Sequence, residues 1–378
     1  MTKPERAAGG AGASCQQTAT TGTTWLATEL NGSHELAAAW NALGAASGSP
    51  VQSYAWAQAC AASFAGSSEL YTVVAGMPPE VAAIAPLVHR RDGVERLELL
   101  GVRELSEPMD FLYRDPSALD ALVRVVAETD LPLILERVPA DSPVVSALRG
   151  AYRTRGRVIS NSVVGYPYIP LTDGWRQPEQ QLPRGRDADL RRTRRIAEQR
   201  GVTRYEILSP TPSELPLLIE KALRVEAAGW KGRLGTALLQ DRVRASFYRR
   251  YVAAAAEAGL LRLCFLTIGG RAVAMQLGVE CGERFWLLRI GYDEEFARCS
   301  PGTLLMVEVV RDAAERGLRS YEFLGTVEPW TALWTRHVRP CVSVLAYPAG
   351  WGGMTALASN VGRLALRRLS RLVEGVRR

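Results

Sequence analysis

The chain has 378 residues, 47% hydrophobic and 22% charged, with a formal net charge of +7 that comes almost wholly from arginine. That length allows two domains with proper cores, and charged residues interrupt every long apolar stretch, which excludes a transmembrane helix. Six cysteines form no Cys-x-x-Cys pair and only three histidines accompany them, so a disulfide framework or structural zinc is not expected and a reducing, cytoplasmic setting is.

In chain order, residues 1–23 are small and polar without an apolar h-region, and read as a disordered tail. A strand over Trp25–Leu30 precedes a helix capped by Ser33 and a second helix over Tyr54–Phe64. Period-two runs at Leu70–Ala75, Val81–His89 and Val94–Gly101 predict three strands. An acidic corner, Glu107-Pro108-Met109-Asp110, is followed by a helix over Pro116–Glu128, a strand over Leu131–Val138, a helix over Ser142–Arg153 and a strand over Val158–Ile169. The second half repeats this order: strands Leu261–Ile268, Ala272–Glu280 and Arg284–Ile290, an acidic corner at Asp293, a helix over Thr303–Arg316, a strand over Ser320–Leu324, a helix near Trp330–His337 and a strand over Val342–Tyr347. A β-β-β-corner-α-β-α-β unit occurring twice predicts a duplicated α+β domain with mixed sheets covered by helices. The expected division is 24–175 and 185–348, with the arginine-rich helix Arg184–Arg200 just after the boundary. Residues 355–378 form a basic amphipathic helix in projection, with Ala365, Leu366, Leu369, Leu372, Val373 and Val376 opposite Arg363, Arg367, Arg368, Arg371 and Arg378. Such a face suits peripheral contact with an anionic membrane surface.

The two copies differ at their corners. Only the second has Ser300-Pro301-Gly302-Thr303 opening its helix, a start whose backbone N–H groups can receive a phosphate or pyrophosphate, with Gly302 permitting close approach. Arg289 sits in the otherwise apolar strand Trp286-Leu287-Leu288-Arg289-Ile290 and needs an anionic partner, Glu322 on the neighbouring strand or a ligand. Glu226 and Trp230 lie four apart and share a helix face.

Glu226-Ala227-Ala228-Gly229-Trp230-Lys231-Gly232, the Gly269-Gly270-Arg271 hairpin, Tyr292-Asp293-Glu294, Ser300-Pro301-Gly302 and Tyr321-Glu322-Phe323-Leu324-Gly325 occur in that order. Together they resemble bacterial GNAT-like acyltransferases of the CelD type (cellulose-biosynthesis associated), which are similar to FemAB-like transferases carrying two GNAT-type domains in one chain. The resemblance covers Asp187 to Pro348 and, in outline, the first half. It implies two tandem GNAT-like domains, the second catalytic and the first degenerate. It further implies an N-acyltransferase moving an acyl group from acyl-CoA, without a metal, to an amine on an envelope, polysaccharide or lipid precursor. The rivals are a FemAB-like transferase that uses aminoacyl-tRNA and a silent acyl-CoA-binding scaffold. On the implied chemistry Asp293 serves as base or water-positioner, Glu226 receives the amine, and Tyr292 or Tyr321 protonates the leaving thiolate. Ser300, Gly302, Thr303 and Arg289 face the cofactor, while Trp230, Lys231 and Glu322 face the acceptor. Thr331 stands where these relatives often carry a lysine, so whatever that lysine holds is held differently here.

Overall fold

The computed structural model describes residues 23–358 apart from 31–32, 65, 67, 230–237 and 239. The expected N-terminal tail, Trp230, Lys231 and most of the basic C-terminal helix lie outside the described residues; 351–358 are helical.

The first half contains β1 (Thr24–Ala27), α1 (His34–Ala45), α2 (Tyr54–Phe64), β2 (Ser68–Leu70), β3 (Thr72–Ala75), β4 (Ala83–Ala85), β5 (Leu87–Arg90), β6 (Arg96–Leu99), α3 (Val102–Leu105), β7 (Leu112–Tyr113), α4 (Pro116–Glu128), β8 (Leu133–Pro139), α5 (Val144–Ala151) and β9 (Gly156–Pro170). The second contains α6 (Pro178–Gln181), α7 (Arg186–Arg200), β10 (Thr203–Leu208), α8 (Leu215–Ala227), α9 (Arg242–Glu257), β11 (Leu261–Ile268), β12 (Arg271–Cys281), β13 (Arg284–Tyr292), α10 (Pro301–Glu315), β14 (Ser320–Glu322) and β15 (Val338–Pro348).

Local chemistry accounts for most of these boundaries. Ser33 caps α1 by accepting the Leu36 N–H at 3.2 Å, and Asp115 caps α4 by accepting that of Ala118 at 2.9 Å. In α4, Leu119, Leu122, Val123 and Val126 form one buried stripe. The expected strand Val81–His89 is two strands, because Pro86 has no N–H to continue the ladder. That break divides the first half between a small sheet, β1-β3-β4-β7, and a large one. The helix expected near Trp330–His337 is a single 3-10 turn at Thr331–Leu333.

Among the described residues the large sheet has eleven strands, in the order β10-β11-β12-β13-β14-β9-β15-β8-β6-β5-β2, and it runs through both halves. Strand β9 makes the join: Gly156 to Pro167 pair with β15, and Tyr168 to Pro170 pair with β14. Strand β15, at the far end of the described chain, lies between β8 and β9 and so completes the sheet of the first half. The 175/185 division therefore separates the halves along the chain but not across the sheet.

Helices seal the same seam. Trp56 of α2 meets Phe247 and Tyr251 of α9 edge-on, at centroid distances of 4.8 and 4.9 Å, and Phe64 stacks on Phe247 at 5.7 Å. Gly48 and Gly282 touch backbone to backbone; a Cβ on Gly282 would fall 2.5 Å from the Gly48 Cα.

Candidate active-site cleft

Strands β13 and β14 are parallel neighbours for only three pairs, Arg284↔Ser320, Phe285↔Tyr321 and Trp286↔Glu322. Beyond them β13 continues to Tyr292, whereas the chain after β14 turns away through Leu324 and Gly325, both with φ near +55°. Opposite β12 the register slips: Gly278 pairs with Leu287 and Leu277 with Arg289, so Leu288 is an extra residue that bends β13 at the parting. Gly278 is required there, since a Cβ would sit 2.5 Å from the Phe285 ring. The parted strands border a cleft of about 690 Å³. Leu287 to Ile290 and Tyr292 line one wall, and Phe323, Gly325, Glu328 and Trp330 the other. Arg244 and Tyr248 of α9 also line it, as do Leu105, Ser106 and Glu107 from the first half.

Arg289 lines the cleft, and its Nη2 is 2.5 Å from Glu226 Oε1. The Glu226 side chain is fully buried, and its Oε2 accepts the Leu238 N–H at 3.1 Å. Two glycines let α8 settle on β13 closely enough for this pair. A Cβ on Gly291 would lie 2.7 Å from the Glu226 Cα, and one on Gly229 would lie 2.6 Å from the Tyr292 carbonyl oxygen. The expected Arg289–Glu322 pair does not form, because Glu322 lies in the last paired position of β14, before the parting. Its carboxylate instead receives two hydrogen bonds from Arg339, at 2.9 and 2.6 Å, and one from the Ser320 hydroxyl at 2.6 Å. The Arg289 guanidinium stands 5.4 Å from the Tyr248 ring centre, and burial pushes the Tyr248 hydroxyl up to about 12.

Helix α10 begins beside this cleft. Ser300 adopts the left-handed conformation (φ 48°) and its carbonyl accepts the Thr303 and Leu304 N–H groups at 3.0 and 3.1 Å. A Cβ on Gly302 would meet only the Tyr292 ring, at 3.7 Å, so the helix start is one side chain away from the cleft wall. Ser300 and Thr303 also face a small hollow of about 60 Å³ shared with Arg186 and Thr193 of α7 and with Trp334.

Asp293 is buried and does not line the cleft. Its Oδ1 accepts the Glu295 N–H at 3.0 Å, capping the 3-10 turn Glu294–Cys299, and its Oδ2 is ion-paired with Arg271. Tyr292, the residue before it, does line the cleft. Thr331 is buried and closes its own turn: the hydroxyl donates to the Glu328 carbonyl at 2.8 Å and accepts the Glu328 N–H at 3.0 Å. Tyr321 donates to Gln276 Oε1 at 2.9 Å, deep in the core.

Sequence reasoning passed over two contributors. Tyr248 lies on α9, between the stretches that the sequence motifs mark. Glu107 stands in the corner of the first copy, which lacks the Ser-Pro-Gly start and which the resemblance marks as degenerate. In the fold that corner reaches the second half: Glu107 Oε2 accepts the Gly325 N–H at 3.1 Å, while Arg137 donates to the carbonyls of Gly325 and Ser106. Burial pushes the Glu107 carboxyl up to about 7, against the opposing pull of the Gly325 N–H, Arg137 and Arg289. The usable signal was positional, an acid at the same corner in both copies. Asp110 is also raised by burial to about 7, but it accepts the Phe111 N–H at 2.8 Å and does not line the cleft.

Among the described residues no group of histidine, cysteine, aspartate and glutamate could hold a metal ion, and no helix is long and apolar enough to cross a membrane.

Residues 184–331, which lie in the second half, match a family model described as an acetyltransferase (GNAT) domain. No curated protein matches the chain. Among solved structures it is similar to the C-terminal domain (DUF2156) of a protein from Agrobacterium fabrum described as a lysylphosphatidylglycerol synthetase. That likeness has a TM-score of 0.52 at 11% identity, covering 85% of this chain and 94% of the other. It is also similar to FemX, with a TM-score of 0.50 at 13% identity, covering 79% of this chain and 92% of the other. At these identities the likeness concerns the fold, which is that of two tandem GNAT-like units with mixed sheets covered by helices.

Proposed function

We propose that the chain is an N-acyltransferase that uses acyl-CoA, with the thioester lying in the cleft between β13 and β14. The observation that carries this reading is the parting of two parallel strands directly beside the start of α10. An extended pantetheine arm can pair with main-chain groups along the β13 edge, and its pyrophosphate can rest on the backbone at Ser300, Gly302 and Thr303. Arg289, oriented by Glu226, supplies a fixed positive charge inside the cleft, and the Tyr292 ring lies beside the helix start. In this reading Asp293 acts by holding the corner that carries Tyr292, through its cap and its Arg271 ion pair. The acceptor is an amine on an envelope, polysaccharide or lipid precursor, a class suggested by resemblance and by the basic segment 355–378 that would bring the enzyme to an anionic membrane face.

The aminoacyl-tRNA alternative needs a free basic surface. Arg191 and Arg192 of α7 are paired within the helix to Asp187 and Asp189, and Arg194 is held by Glu179 and Glu308 at 2.7 and 3.2 Å. The test is to incubate the protein with acetyl-CoA or with charged tRNA, each with a set of primary amines, and follow thiol release or aminoacyl loss. Thiol release with acetyl-CoA alone supports the proposal. Aminoacyl loss from tRNA without thiol release overturns it.

A further inference from the structure

Among the described residues two carboxylates line the cleft, Glu107 and Glu328. Glu328 is exposed, and its Oε2 is engaged by the Trp330 indole N–H at 2.7 Å. Glu107 is half-buried, and the hydrogen bond it accepts comes from a neutral main-chain donor, the Gly325 N–H. Facing it are Arg289 of β13, Arg244 and Tyr248 of α9, Tyr292, and Arg137 of β8. Arg289 is committed to Glu226, and Arg137 to two carbonyls. Glu107 therefore keeps its second oxygen for a ligand, on the wall opposite the β13 edge.

We propose that Glu107, delivered by the first half, receives the acceptor's ammonium group in the cleft and takes its proton. This rests on the acyl-transfer reading of the same cleft. One ammonium proton passes to the Glu107 carboxylate, freeing the nitrogen lone pair. The nitrogen attacks the thioester carbonyl; the C–N bond forms and the C–S bond breaks. A second proton leaves the nitrogen and reaches the departing thiolate by way of the Tyr292 hydroxyl, giving the amide and free coenzyme A. Glu107 then returns its proton to solvent. A carboxyl held near 7 is matched to this task at neutral pH. The first half is on this account a working part of the site.

The test compares the wild-type chain with Glu107→Gln and, as a control away from the cleft, Asp110→Asn. Glutamine retains an oxygen for the Gly325 N–H and loses only the capacity to take a proton. Coenzyme A affinity is measured first, then thiol release from acetyl-CoA with a polyamine, an amino sugar and an amino-acid amide between pH 5.5 and 9. The expected result is unchanged affinity in all three proteins, a wild-type kcat/KM that rises through about pH 7, and in Glu107→Gln a loss on the order of 100-fold with that rise abolished. A folded Glu107→Gln protein that keeps the wild-type rate and pH profile overturns the assignment. So does a wild-type protein that binds coenzyme A but releases thiol with none of these amines. Failure of the wild-type chain to bind coenzyme A at all removes the acyl-CoA reading first, and the role of Glu107 with it.

Discussion

Glu226→Gln leaves the Arg289 guanidinium without its charge partner in a place where only 15% of that side chain is exposed. Removing one member of a buried ion pair costs about 3 kcal/mol or more, so the denaturant midpoint should fall with an unchanged m-value. A midpoint that does not move would mean that Arg289 finds another anion. Glu107 and Asp110 give a pH dependence of definite sign. Both have folded-state pKa values raised from the ordinary carboxylate range to about 7, so between pH ~4.5 and ~7 the native state holds protons that the unfolded chain has released. Their contribution to stability is full below the unfolded pKa and is lost as pH rises through the folded one. Glu107→Gln should therefore lose less stability than wild type between about pH 5 and pH 7.5, measured as the difference in melting temperature. A larger loss in the variant would place the Glu107 pKa below its unfolded value. At this scale the sequence showed the residue types well but not their partners. Arg289 plainly needed an anion, yet Glu226 rather than Glu322 supplies it, because packing of α8 on β13 decides the pair.

At the scale of elements, the site depends on how closely α8 lies against β13. Gly291→Ala would put a Cβ 2.7 Å from the Glu226 backbone, so α8 must move away and the Glu226–Arg289 pair must loosen. A lowered melting temperature is expected, together with reduced turnover and retained secondary structure by circular dichroism. A fully active, equally stable variant would show that the contact yields without cost. Caps and apolar stripes made α1, α4 and α10 legible in the sequence, since Ser33, Asp115 and the Ser300-Pro301-Gly302 turn act within a few residues of themselves. The Leu288 bulge and the parting of β13 from β14 were not legible. They depend on Gly278 meeting Phe285 across the ladder and on the turn at Leu324 and Gly325, none of which alters the period-two pattern.

Across the whole molecule, the repeated order of elements disclosed a duplication but not the exchange of strands between its copies. Val342–Tyr347 reads as an ordinary apolar strand, and nothing in its pattern tells which sheet it joins. Because β15 lies between β8 and β9, both halves should unfold together in one transition. Deleting residues 338–378 should accordingly unfold the first half as well as the second, visible as loss of the near-ultraviolet signal of Trp40 and Trp56; a first half that stays folded would contradict the shared sheet. The same continuity lets Glu107 act in a cleft built mainly by the other half, with Gly325 held by Glu107 at its N–H and Arg137 at its carbonyl. Whether that cleft and the start of α10 hold the donor is tested most directly by calorimetric titration with coenzyme A of the wild-type chain and of Gly302→Val. A Cβ at Gly302 meets only the Tyr292 ring, at an ordinary contact distance of 3.7 Å, so the variant should fold. One site per chain in the wild type, weakened more than about tenfold in the folded variant, is the predicted result, since the valine would block close approach to the backbone there. Equal affinity in the two proteins, or no binding by the wild type, would contradict it.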